Sequence, residues 1–64
     1  MSMRPPRLEL RAGARVRWQP VHTDEWREGK LIRPMPNNEE WLVENEAGRF
    51  WIHVTRLRPA EEHP

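Results

Sequence analysis

The chain has 64 residues, no cysteine and a formal net charge of +1, so its length predicts one small domain without disulfide or thiolate chemistry. No apolar run approaches the roughly 20 residues that span a bilayer, and the N-terminus lacks the apolar segment typical of a signal peptide. We therefore expect a cytoplasmic protein that does not bind to or cross a membrane.

Charge is distributed unevenly along the chain. Residues 1–20 carry a net charge of +4, residues 21–48 carry −4 and residues 49–64 carry +1. A strongly basic nucleic-acid-binding protein does not usually contain an acidic middle of the same size. Overall charge therefore does not by itself assign the chain to nucleic-acid binding.

Composition and turn residues divide the chain into three parts. Residues 1–11, which include Pro5-Pro6 and several arginines, predict a flexible basic N-terminal arm. Residues 12–59 hold the alternating apolar pattern of a folded domain. Residues 60–64 are expected to form a frayed C-terminal tail.

The first predicted strand runs from Ala14 to Trp18. Val16 and Trp18 share one face of this strand, and Arg15 and Arg17 share the other, because successive side chains of a strand point to opposite faces. If the apolar face is buried, both arginines should point outward into solvent.

A loop over residues 19–25 should lead into the second strand, Trp26 to Arg33. Gly29 within that strand indicates a bulge or a strong bend of the kind that small barrels need for closure. The segment 34–38 contains two prolines and two asparagines, which strongly favours a turn.

The stretch from Trp41 to Val54 predicts a β-hairpin. Apolar residues alternate over 41–45 and again over 50–54, and 46–49 supplies the turn, with Gly48 able to adopt a positive φ. A short segment around Leu57 then closes the fold.

The predicted fold class is all-β: a five-stranded, partly open barrel with a short 3-10 turn before the last strand. Seven prolines and the lack of a 3.6-residue apolar period argue against helices. The predicted core consists of Val16, Leu31, Val43, Phe50, Ile52, Val54 and Leu57, with parts of Trp18 and Trp41.

Glycines and apolar residues recur in a pattern that resembles SH3-like barrels of the Tudor and Agenet kind. The residues that carry the resemblance are Gly13, Val16, Trp18, Trp26, Gly29, Leu31, Trp41, Val43, Gly48, Ile52, Val54 and Leu57. The resemblance covers residues 12–59. It implies a ligand cleft lined by aromatic side chains, for which Trp18, Trp26 and Trp51 are the candidates.

A second resemblance is to the plasmid-borne type II dihydrofolate reductases, which are also SH3-like barrels and work as tetramers. It is carried by residues 13–17 and 41–46 and by Ile52, Val54 and Leu57. Where that family has a catalytic Val-Gln-Ile-Tyr run, this chain has Phe-Trp-Ile-His at 50–53. The resemblance implies a tendency to form homo-oligomers and, as a further alternative function, a reductase-like oligomeric enzyme. The altered run predicts that the reductase activity is absent.

Catalytic and metal-binding patterns are lacking in the sequence. His22, His53 and His63 do not have the spacing of a metal site, no hydroxyl sits in a nucleophile turn, and the three glycines form no phosphate-binding loop. We expect no enzymatic activity, no cofactor and no metal.

Two kinds of binding function remain: one relies mainly on the tryptophans and the other mainly on the arginines. The first is recognition of a peptide or protein partner in a tryptophan-lined groove with an acidic rim, formed by Trp18, Trp26, Trp51, His53, Asp24 and Glu25. The alternative is nucleic-acid binding, with Trp51 stacking on a base and phosphates held by Arg4, Arg7, Arg11, Arg15, Arg17 and Arg49. Strand alternation predicts that Trp51 is more exposed than Phe50 and Ile52, unless a second subunit covers it.

Overall fold

The computed structural model describes residues 8–60 as one antiparallel sheet. Its elements are β1 (Arg15–Trp18), β2 (Arg27–Pro34), β3 (Glu40–Asn45), β4 (Gly48–His53), the 3-10 helix η1 (Val54–Arg56) and β5 (Arg58–Pro59). The spatial order of the strands is β4-β3-β2-β1-β5. The sheet is not closed, so the prediction of an all-β, five-stranded, partly open barrel with a 3-10 turn is confirmed. Most of the predicted arm (residues 1–7) and tail (residues 61–64) lies outside the described residues.

The strand β2 is the longest element and bends the sheet. It pairs with β1 through Gly29 opposite Val16, and its register with β3 shifts between Leu31 and Arg33, which places a bulge at Ile32. The irregularity predicted for β2 is therefore present, three residues beyond Gly29. A bulge of this kind increases the local twist and folds the two ends of a sheet toward each other.

Gly29 is required by a close approach between β2 and β3. A Cβ atom at this position would lie 2.7 Å from the carbonyl oxygen of Glu44 and 2.7 Å from Cγ1 of Val43. Neither the backbone oxygen nor the fully buried valine can move away easily, so only glycine fits without displacing β3.

The core lies on the concave face of the sheet, which is the face that bears Val16 and Leu31. Its buried residues are Val16, Trp18, Leu31, Trp41, Val43 and Leu57. Leu8 and Ala14 pack against this cluster, so part of the predicted arm is docked on the domain. Trp18 and Trp41 are almost completely buried, which makes them larger contributors to the core than predicted.

The core prediction was wrong for Phe50, whose exposed fraction is 39%, and Ile52 and Val54 are only partly buried. The strand β4 ends the sheet on one side. Alternation places the side chains of Phe50 and Ile52 on the concave face. Within residues 8–60, however, no strand pairs beyond β4 to cover them there.

Leu42, which the predicted core did not include, is buried on the convex face. It is paired in register with Arg33 on one side and Trp51 on the other, and these long side chains cover it. Trp51 has the same exposed fraction as Phe50, 39%, so the expectation that Trp51 would exceed Phe50 was wrong. Trp51 is more exposed than Ile52, as expected.

The prediction that Arg17 points into solvent was also wrong, because only 6% of this residue is exposed. The carbon atom of its guanidinium lies 4.1 Å from the ring centroid of Trp26. Trp26 immediately precedes β2 and lies on the same face as Glu28, the residue paired with Arg17. The indole therefore covers the guanidinium on the convex face.

Candidate binding groove

An apolar groove with a volume of about 260 Å³ opens on the concave face, beside β4. Its walls are formed by Trp18 at the end of β1, Val21 in the following loop, and Phe50 and Ile52 of β4. The groove exists because these inward-facing side chains lie at the open side of the barrel, where no further strand of the described residues covers them. This cavity is called the groove below.

Two aromatic rings shape the groove. The ring centroids of Trp18 and Phe50 are 6.3 Å apart and their planes are tilted by 51°, a geometry that aromatic pairs favour. Trp18 is 4% exposed and belongs to the core, whereas Phe50 is 39% exposed. Trp18 is therefore the rigid floor of the groove, and Phe50 is the wall that a ligand would contact.

The polar part of the groove is cationic. Among residues 8–60, its lining includes Arg27 and Arg56 and no carboxylate side chain. Arg56 donates a hydrogen bond to the carbonyl oxygen of Gln19, which ties the loop to η1. Arg27 Nη1 lies 2.8 Å from a carboxylate oxygen of Glu25 in an exposed ion pair. The predicted acidic residue Glu25 thus lies beside the groove and partly neutralises Arg27.

Trp26 lies in a second, more polar depression next to the groove, together with Asp24. The two depressions share Pro20, Val21 and Arg56, so the loop forms a ridge between them. Val21 on this ridge is 69% exposed, the highest value among the exposed large apolar side chains of residues 8–60. Of the predicted tryptophans, Trp18 lines the groove and Trp26 lines the neighbouring depression.

Trp51 and His53 project from the convex face of β4, away from the groove. The guanidinium of Arg33 is 5.8 Å from the ring centroid of Trp51. His53 Nδ1 accepts a hydrogen bond of 3.2 Å from the backbone N–H of Thr55 and lies 2.9 Å from its Oγ1. His53 therefore caps the start of η1. The structure does not bring these two residues together with Trp18.

The arginines proposed for nucleic acid are placed in different environments. Arg11 is paired with Glu9 at 2.7 Å, and Arg49 is paired with Glu44 at 2.8 Å. Arg17 is buried against Trp26, and Arg15 is exposed opposite Lys30. Arg4 and Arg7 lie outside the described residues.

Sequence reasoning did not assign Val21, Phe50, Ile52, Arg27 or Arg56 to the site, although all of them line the groove. Phe50 was assigned to the core because alternation identifies the inward face but does not show whether another element covers it. Val21 carried a usable signal, since it is a large apolar residue within an otherwise polar loop. The arginines carried none, because arginine is frequent throughout this chain.

Within residues 8–60, no group of His, Asp or Glu side chains is arranged to hold a metal ion. The same part of the chain contains no helix that is long and apolar enough to cross a membrane. No protein-family model, curated protein or solved structure matches the chain. The fold and the groove are therefore interpreted from their own geometry.

Proposed function

We propose that this chain is a non-catalytic binding module, a small barrel of the SH3-like and Tudor-like kind, that holds an apolar side chain of a peptide or protein partner in the groove. The observation that carries the proposal is the exposed Phe50 ring beside the buried Trp18 ring in an open apolar cavity. A rigid floor and an exposed wall form a preorganised site, which lowers the entropy cost of binding.

The size of the groove favours a side chain over a larger ligand. Pockets for drug-sized molecules usually span about 300–1,000 Å³, whereas this groove has about 260 Å³. Burying one Leu, Ile or Phe side chain contributes about 1.5–3 kcal/mol. Such an anchor, combined with backbone contacts, is typical of weak to moderate peptide recognition.

Two positions on β4 give a matched pair for the test. Phe50 and Trp51 are neighbours with the same exposed fraction, and only Phe50 lines the groove. Peptides selected from a random display library on the parent chain should bind Phe50→Ala at least about tenfold more weakly, as loss of an aromatic anchor predicts. Trp51→Ala, outside the groove, should weaken the binding of those peptides clearly less than Phe50→Ala does. Selected peptides that bind Phe50→Ala and the parent equally would overturn the proposal.

Nucleic-acid binding is a second candidate, favoured by the Arg33–Trp51 contact on the convex face. An exposed indole next to a guanidinium is suited to base stacking with a neighbouring phosphate contact. It ranks below the groove because the cations of that face are interrupted by Glu44, which pairs with Arg49. The absence of reductase activity and a tendency to form homo-oligomers stay predictions of the sequence.

A further inference from the structure

We infer that the partner of the groove is an extended acidic segment that adds to the free edge of β4, with its apolar anchor in the groove and a carboxylate two residues away facing Arg27 or Arg56. This inference rests on the proposed function and specifies the conformation and charge of the ligand.

The edge of β4 is suited to accept another strand. It is the terminal strand of the sheet and has six residues without lysine or proline, two of the residues that commonly protect edges. Its one arginine, Arg49, is ion-paired with Glu44 of β3. The connection from Asn45 to Gly48 is a tight two-residue turn, so Gly48, Phe50 and Ile52 exchange backbone hydrogen bonds with β3. The backbone groups of Arg49 and Trp51 consequently face away from β3, toward the free edge.

The side chains of β4 determine the register that such a segment would adopt. Phe50 and Ile52 line the groove, so a partner residue lying next to them on the concave face would enter it. Residues two positions away in a strand share that face, and residues one position away lie beside Trp51 on the convex face. The apolar anchor and the partner residues two positions before and after it therefore face the groove.

The arginines of the groove favour a negative charge on the partner residues two positions from the anchor. Arg27 and Arg56 line the groove, and no carboxylate side chain of the described part of the chain does so. Glu25 engages Arg27 through one exposed ion pair, a contact that contributes little and that a ligand carboxylate can replace. Arginine presents several donors in a planar fork, so its bond to Gln19 leaves Arg56 with further donors for a carboxylate.

The test uses a synthetic peptide array on an extended Thr/Val host. The central position is Phe, Leu or Ala, and the positions two residues before and after it are Glu, Gln or Lys. We expect binding to require the apolar centre and to be about tenfold tighter with Glu than with Gln, as charge-assisted hydrogen bonds predict. Lys should weaken binding further. The preference for Glu should disappear in Arg27→Gln combined with Arg56→Gln and persist in Arg15→Gln, whose side chain lies on β1.

Pairing with the edge is tested without altering the protein. The amides of an extended peptide form two alternate sets, and only one set can pair with β4. N-methylation of that set should abolish binding, and N-methylation of the other set should not. Hydrogen exchange of the Arg49 and Trp51 amides should slow in the complex. Binding that depends on the apolar centre but is indifferent to flanking charge, or to N-methylation of either set, would overturn this inference and leave the proposed function standing. Display-selected peptides that bind independently of Phe50 would overturn the proposed function itself.

Discussion

The guanidinium of Arg17 lies 4.1 Å from the ring centroid of Trp26 and is almost fully buried there. A residue that alternation assigns to solvent is thus a structural contact that fixes the loop before β2 to the convex face. Because a desolvated cation–π pair is stronger than an exposed one, both residues should contribute to stability.

Trp26→Ala should lower the free energy of unfolding by about 1–2 kcal/mol, since it removes the ring that covers a buried guanidinium. Arg17→Lys should cost less than Arg17→Ala, because the charge stays while the planar stacking is lost. Urea denaturation measures both, and Val21→Ala, at a highly exposed loop position, is the control that should stay within about 0.5 kcal/mol of the parent. A Trp26→Ala variant with the same free energy of unfolding as the parent would contradict a structural role for the Arg17–Trp26 contact.

Gly29→Ala should destabilise the domain by about 3 kcal/mol, because the new Cβ would lie within 3 Å of a backbone oxygen and a buried valine. Lys30→Ala, one residue further along β2 and exposed, serves as the control and should change stability by less than about 0.5 kcal/mol. Thermal unfolding followed by circular dichroism gives the comparison. Equal midpoints for Gly29→Ala and the parent would mean that β2 and β3 are further apart than described.

Leu42→Ala should destabilise the domain more than Phe50→Ala does, although the sequence assigned Phe50 and not Leu42 to the core. Loss of the buried leucine should cost about 2–4 kcal/mol, whereas loss of the exposed phenylalanine ring should cost about 1 kcal/mol. Chemical denaturation of both variants measures which substitution lowers the free energy of unfolding more. A larger loss for Phe50→Ala would indicate that the groove is closed in solution.

Much of the fold could be predicted because its signals are local. Turn residues at 34–38, Gly48 in the hairpin and the alternation of Val16 with Trp18 depend on neighbours in sequence. Signals of this kind located β1 to β4, whereas β5 (Arg58–Pro59) lies just beyond the closing segment predicted around Leu57. The groove and the burial of Arg17 depend instead on which element covers which face. Periodicity assigned Phe50 to the concave face correctly, but only the sheet order shows that β4 is an edge and that this face is open.

The purified chain should not reduce dihydrofolate with NADPH above the buffer rate, because positions 51 and 53 hold Trp and His where the resembling reductases have Gln and Tyr. Absorbance of NADPH measures the rate. Trp51→Gln combined with His53→Tyr is the companion variant, and it should lose about 1 kcal/mol of stability because His53 caps η1. Steady turnover by the parent chain would contradict the non-catalytic proposal.

Single-stranded oligonucleotide should bind weakly and with little dependence on salt. Of the predicted phosphate contacts in residues 8–60, Arg17 is buried and Arg11 and Arg49 are ion-paired, which leaves Arg15 with its neighbour Lys30. Two phosphate contacts on a single strand give a slope of log affinity against log salt of about −1.4.

Tryptophan fluorescence titrated with oligonucleotide at several salt concentrations measures that slope. Arg15→Ala combined with Lys30→Ala should make the slope shallower by about 1.4. Arg4→Ala combined with Arg7→Ala measures the contribution of the predicted arm. A much steeper slope together with saturable quenching that Trp51→Ala abolishes would favour nucleic acid over the peptide groove, because the stacking ring and the phosphate contacts would then both lie on the convex face.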